Sequence, residues 1–175
     1  MSYTRRVLVI SAVPSKLSAW AANVDGCEVV PRGRTEKQLE AAVKAMSRPA
    51  DLIVLDGHGS WREASYASSG DRETQVKISF APESLGAPRV IMCICYGLAE
   101  HYIEKLTDCD KEIEVIGPVG MISSRHYLGV VSHLIERFLD GEDLMSALDD
   151  ARRLELRQIG RWDRSRHEDR VADTV

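Results

Sequence analysis

Two short segments of this sequence end in side chains that could carry out acyl-transfer chemistry. The first, Asp51-Leu52-Ile53-Val54-Leu55-Asp56-Gly57-His58-Gly59-Ser60, stops at a histidine between two glycines; the second, Arg89-Val90-Ile91-Met92-Cys93-Ile94-Cys95-Tyr96-Gly97, stops at a cysteine near a glycine. A cysteine attacks as its thiolate, and an imidazole titrates close enough to neutrality to accept the thiol proton. The two residue types together indicate a cysteine hydrolase.

The elements that must position these side chains alternate between strands and helices. Apolar runs of strand length cover Val7 to Val13, Cys27 to Val30, Ala50 to Gly57, Arg89 to Cys95 and Ile113 to Ile116. Helical spacing follows in Leu39 to Met46, Leu98 to Leu106, Tyr127 to Phe138 and Leu144 to Leu154. This alternation predicts an α/β fold, a three-layer α/β/α sandwich with a mostly parallel central sheet. Chemistry in such sheets lies at the carboxyl ends of the strands.

Each candidate residue receives a role from this placement. His58 is the candidate general base and Cys95 the candidate nucleophile. The backbone N–H groups of Gly59 and Cys95 are candidates for an oxyanion hole, which stabilises the charge that develops in acyl transfer. Cys93 lies inside the apolar run, and we interpret it as a small buried hydrophobic residue.

The order of these motifs resembles the caspase-like cysteine peptidases: caspases, metacaspases, gingipains, separase and the bacterial CHAT-domain proteases. The shared pattern is an apolar strand, His-Gly, a second apolar strand and Cys-x-Gly. The part after the site is most similar to the CHAT family: Ile116-Gly117-Pro118-Val119-Gly120, then Phe138-Leu139-Asp140-Gly141-Glu142-Asp143 and Ala147-Leu148-Asp149-Asp150-Ala151-Arg152. The resemblance runs from about Val7 to Leu156.

The resemblance implies peptide-bond hydrolysis by a His58–Cys95 dyad, with no metal and no organic cofactor. It also implies a protein or peptide substrate and an activating protein partner. Asp56, Trp61 and Glu100 are speculative substrate-binding residues, because two are acids close to the dyad in sequence and Trp61 follows the histidine loop. The alternative from another class is a non-catalytic caspase-like module that binds a partner, since a fold does not guarantee its chemistry.

Composition is typical of an ordinary globular protein of one domain. The 175 residues are 44% hydrophobic and 29% charged, and the net charge of −4 gives no general attraction to nucleic acid or to an anionic membrane. We expect a peptidase domain over residues 1–160, a charged, flexible tail over 161–175 and a cytoplasmic location with free thiols. A zinc site from Cys93, Cys95, His101 and Cys109 is conceivable by residue type, but nothing in the spacing resembles a zinc knuckle.

Overall fold

The structure is a computed structural model that describes residues 4–11, 15–30, 49–59, 65–67, 75–77, 89–100, 102–103, 113–123 and 126–165. Its principal element is a six-stranded sheet. The strands along the chain are β1 (Val7–Ser11), β2 (Cys27–Val30), β3 (Leu52–Asp56), β4 (His58–Gly59), β5 (Ser65–Ala67), β6 (Gln75–Lys77), β7 (Arg89–Cys93), β8 (Glu114–Pro118) and β9 (Trp162–Ser165). The helices are α1 (Lys16–Ala21), α2 (Tyr127–Leu139) and α3 (Leu144–Arg153), with a short 3₁₀ turn over Ile159–Arg161.

The principal sheet has the order β2-β1-β3-β7-β8-β9, and its first five strands are parallel. The predicted mostly parallel α/β sheet is therefore confirmed. β3 and β7 lie side by side at its centre, and every residue of β3 is buried. Central parallel strands are covered on both faces, which explains why these two runs are continuously apolar.

Alternate residues of the strands enter two separate hydrophobic clusters. Ile53 and Leu55 belong to one cluster, and Leu52 and Val54 belong to the other. The second cluster also contains the apolar faces of α1, α2 and α3, which include Leu17, Val131, Leu134, Phe138, Leu144 and Leu148. The three helices therefore cover one face of the sheet.

Capping residues explain where the helices begin and end. Ser15 caps α1, because its side chain accepts a hydrogen bond from the N–H of Ser18, and Asp143 caps α3 in the same way. After α2, Gly141 adopts a φ of 103°, a left-handed conformation that glycine adopts without strain. The predicted last two helices are thus confirmed with nearly the predicted bounds.

The end of the described chain differs from the prediction. Instead of a flexible tail from Arg161 onward, residues Trp162–Ser165 form β9, which pairs antiparallel with β8 at the edge of the sheet. Trp162 is only 2% exposed and packs into the second cluster, which anchors the strand. The sequence does not indicate this strand because the stretch is polar, and polar residues such as Asp163 are exposed in it.

A small second sheet follows β3 directly. In it β4 pairs antiparallel with β5, and β5 pairs antiparallel with β6. The strand β6, Gln75–Lys77, begins a stretch in which residues from Gln75 to Phe80 alternate as in an edge strand or hairpin arm. The predicted helix over Leu39 to Met46 lies outside the described residues.

No helix in the described part of the chain is both long and apolar enough to cross a membrane.

Candidate functional site

The register of the two central strands brings the histidine and cysteine segments to one level of the sheet. In this register Asp56 lies opposite Cys93, and the N–H of Gly57 donates to the carbonyl of Cys93 at 3.3 Å. His58 follows Asp56 by two residues, and Cys95 follows Cys93 by two. Since neighbouring strands are about 4.8 Å apart, the two backbones leave the carboxyl edge of the sheet next to each other.

Cys95 lies in a tight turn, residues 95–98, that we call the cysteine turn. Its side chain is half-buried, and its Sγ lies 3.7 Å from the carbonyl oxygen of Ile122, to which the thiol can donate a weak hydrogen bond. Tyr96 has a φ of 59°, in the left-handed region that non-glycine residues rarely adopt. The strained residue follows the thiol immediately, as is common for residues held at functional sites.

Gly97 allows the cysteine turn to lie against the end of its own strand. A Cβ atom at this position would be 2.7 Å from Met92 Cβ, 2.8 Å from the Met92 carbonyl oxygen and 3.0 Å from Pro118 Cδ. Two of these atoms belong to the backbone or to a proline ring, so they cannot move aside easily. Only glycine fits here without displacing the turn.

We therefore expect Gly97→Ala to destabilise the protein by about 1–3 kcal/mol, the usual cost of overpacking. Gly120→Ala is the matched control, because a Cβ atom there has no neighbour within 4 Å, and we expect a change of less than about 0.5 kcal/mol. Urea unfolding followed by circular dichroism measures both variants. Equal stabilities would show that the turn can relax around the added methyl group.

The other described thiols are poorly suited to nucleophilic attack. Burial raises the pKa of the Cys27 thiol to about 11. Burial and, secondly, the negative charge of Asp56 raise the pKa of Cys93 well above its usual value. Both thiols therefore stay protonated at neutral pH.

Asp56 is 2% exposed and lies in a cluster of hydroxyl groups at the carboxyl ends of β1 and β3. Its carboxylate accepts hydrogen bonds from Ser11 Oγ at 2.9 Å, from Tyr127 Oη at 3.3 Å and from Ser15 Oγ. Burial, followed by the charge of Asp56, raises the pKa of Tyr127, so its hydroxyl remains a donor. The carboxylate is thus held inside the protein by hydroxyl donors, two residues before His58.

The remaining predicted site residues have different surroundings. Glu100 is exposed two residues after the cysteine turn, and the backbone of Gly59 pairs with Tyr66 in the small sheet. Trp61 lies outside the described residues, as do His101 and Cys109 of the conceivable zinc site. In the described part of the chain, no three histidine, cysteine or acidic side chains are grouped as a metal site would require.

Sequence reasoning did not identify the residues that surround the two segments. Asp56 is bound from three other elements: by Ser11 of β1, by Ser15 at the N-terminus of α1 and by Tyr127 of α2. Gly120 and Ile122 bind the cysteine turn from the loop after β8. A polar residue at the end of a buried strand, as Ser11 is, was the one available signal. The others are far from Asp56 and Cys95 in sequence and have ordinary local contexts.

Two exposed apolar side chains lie in the loop that contacts the cysteine turn. Val119 is 64% exposed and Met121 is 61% exposed, while Gly120 between them accepts a hydrogen bond from the N–H of Tyr96 at 2.9 Å. Large apolar side chains that remain exposed beside a candidate site are suited to contact a partner or substrate.

Comparison with known proteins assigns no family to the chain: no protein-family model matches it, and no curated protein matches it significantly.

Proposed function

We propose that this chain is a cysteine endopeptidase of the caspase-like type, with His58 and Cys95 as its catalytic dyad. The proposal includes the finer fold class, a three-layer sandwich of the caspase-like kind. The helices α1, α2 and α3 cover one face of the sheet, and Tyr102 and Ile103 pack against the other. It also includes activation by a partner protein in the cytoplasm. The sequence resemblance and the arrangement of the sheet edge support it.

The observation that carries the proposal is the register of β3 and β7. Asp56 pairs with Cys93, so His58 and Cys95 each follow the same register pair by two residues on adjacent strands. A base and a thiol at neighbouring strand ends can come within hydrogen-bond reach, as nucleophilic catalysis requires. Cys93 also lies at this edge but is only 2% exposed, so Cys95 is the more accessible of the two thiols there.

In the proposed reaction His58 removes the proton of the Cys95 thiol, and the sulfur forms a bond to the peptide carbonyl carbon. The N–H groups of Gly59 and Cys95 stabilise the resulting oxyanion. His58 then gives the proton to the leaving amine as the C–N bond breaks. Water attacks the thioester with His58 as base, which releases the acid and restores the thiol.

The exposed apolar pair suits a peptide substrate better than a small polar one. Val119 and Met121 are close in the chain to the Gly120 and Ile122 carbonyls that contact the cysteine turn. A peptide bound at Cys95 would cover these side chains and remove their apolar surface from water.

Cleavage of a pooled peptide library tests the proposal. We expect purified protein to cleave a defined subset of peptides, read by mass spectrometry, and Cys95→Ala to cleave none of them. The library identifies the residue preferred at the cleavage site in the same experiment. Products that appear equally with both proteins would come from a contaminant and would contradict the proposal.

The second candidate function is a non-catalytic module that binds a protein partner, which the exposed Val119 and Met121 also favour. Iodoacetamide labelling distinguishes the two candidates. A catalytic Cys95 alkylates much faster at pH 7.5 than Cys27, whose pKa of about 11 leaves roughly 0.1% thiolate or less. His58→Ala should remove that excess. Slow labelling of Cys95 that His58→Ala leaves unchanged would favour the binding module.

A further inference from the structure

The segment 118–123 makes contacts along both edges of its backbone, and each edge contacts a different part of the chain. The carbonyls of even-numbered residues contact the cysteine turn. Pro118 accepts from the N–H of Leu98 at 3.2 Å and Gly120 from the N–H of Tyr96 at 2.9 Å, while the Ile122 oxygen lies 3.7 Å from Cys95 Sγ. The turn that carries the thiol is therefore attached to this segment along its length.

The odd-numbered residues of the same segment bind residues 158–161, which we call the clasp. The N–H of Val119 donates to the Arg161 carbonyl at 2.8 Å, and the N–H of Ser123 donates to Gln158 Oε1 at 3.1 Å. The Arg161 guanidinium donates to the Met121 carbonyl. The alternation is that of an extended strand between two neighbours, with the cysteine turn on one side and the clasp on the other.

The clasp is itself fixed to the sheet. Its last residue is followed by Trp162, which is 2% exposed and begins β9. Arg164 of β9 pairs with Glu114 of β8 at 3.5 Å. Gln158 has a φ of 70°, a costly conformation for a residue with a side chain, and in this conformation its amide bonds Ser123.

We propose that Gln158 and Arg161 are positioning residues for Cys95, because their side chains hold segment 118–123, which in turn binds the cysteine turn. The catalytic part of this inference rests on the proposed function. It assigns a role at the site to side chains from the far end of the described chain, where the sequence indicates only a charged surface. Neither side chain contacts the thiol, so they act through Gly120 and Ile122.

Three variants isolate the effect. Gln158→Gly removes the amide acceptor and also relieves the positive φ, so it should not weaken the fold. Arg161→Ala removes the guanidinium bond, and Arg161→Lys retains a single donor that should restore part of it. Arg157→Ala is the matched control, because Arg157 is an exposed arginine of the same stretch and its loss changes the net charge equally.

The first measurement is amide hydrogen exchange at Tyr96 and Leu98, whose N–H groups bind segment 118–123. We expect the Gln158→Gly/Arg161→Ala double variant to exchange these amides about threefold to tenfold faster for each lost hydrogen bond. The melting temperature of the double variant should stay close to that of the wild type. The Arg157→Ala variant should exchange both amides at the wild-type rate. Unchanged exchange at both amides in the folded double variant would overturn the proposal.

The second measurement is hydrolysis of the best library peptide. We expect kcat of the double variant to fall about tenfold to a hundredfold, the scale of a small misplacement of a reacting group, with KM changed less than about twofold. Faster exchange with an unchanged kcat would overturn the positioning role. If the wild-type protein is no more active than Cys95→Ala, the proposed peptidase activity is overturned, and the catalytic role of the clasp with it. The hydrogen-exchange result separately decides whether the clasp holds the cysteine turn.

Discussion

Replacing Cys95 with alanine is expected to lower kcat/KM for peptide hydrolysis at least about a thousandfold, since the nucleophile and its base act as a unit. His58→Ala should cause a loss of similar size, and the double variant should be little worse than either single variant. Initial rates of hydrolysis of a peptide identified from the library, measured at substrate concentrations well below KM, give kcat/KM for all three variants.

Cys93→Ala is the matched control for this loss. Cys93 is 2% exposed, faces the helix-covered side of the sheet and has a raised pKa, so its removal should leave kcat/KM within about threefold of wild type. A large loss in Cys93→Ala together with a mild one in Cys95→Ala would contradict the assignment of the nucleophile. Folding of every variant is checked by circular dichroism.

Replacing Asp56 with alanine is expected to destabilise the protein by roughly 2–4 kcal/mol, because Ser11, Ser15 and Tyr127 would each lose a buried acceptor. In a domain of this size such a loss lowers the melting temperature by roughly 4–16 °C. Thermal unfolding measured by calorimetry tests the expectation. The physical reason is that these hydroxyl groups would lose a carboxylate acceptor inside the protein without regaining their hydrogen bonds to water.

Two variants separate the carboxylate's local role from a general effect of removing an acid. Asp56→Asn retains one acceptor oxygen, so we expect less than half of the loss in Asp56→Ala. Asp149→Ala removes an exposed aspartate that pairs with Arg152 at 3.0 Å, and we expect a change below about 0.5 kcal/mol. Equal stability of Asp56→Ala and Asp149→Ala would show that the hydroxyl cluster contributes little.

The central part of the fold could be predicted because its signals are local. β3 and β7 appear as continuous apolar runs, and α2 and α3 appear as amphipathic stretches over Tyr127 to Phe138 and Leu144 to Leu154. Burial on both faces imposes the first pattern and burial on one face imposes the second. The 37 residues from His58 to Cys95 are also enough for the crossover that places β3 and β7 side by side.

What escaped prediction depends on contacts between distant parts of the chain. The strand β8 continues through Gly117 and Pro118, where the sequence indicates a stop, because β9 pairs with both residues. β9 itself has one anchoring side chain, Trp162, among charged neighbours. Likewise Tyr127 begins a helix, and nothing in its local sequence indicates a bond to Asp56.

The position of the clasp in the chain has a consequence for biosynthesis. Proteins fold from the N-terminus as they leave the ribosome, so the cysteine turn and segment 118–123 emerge before residues 158–161 exist outside the exit tunnel. Until then the hydrogen bonds from the clasp to Val119, Met121 and Ser123 have not formed. Cys95 would therefore take up its final setting late in translation, and chains that stop early would be released with this part of the site unassembled.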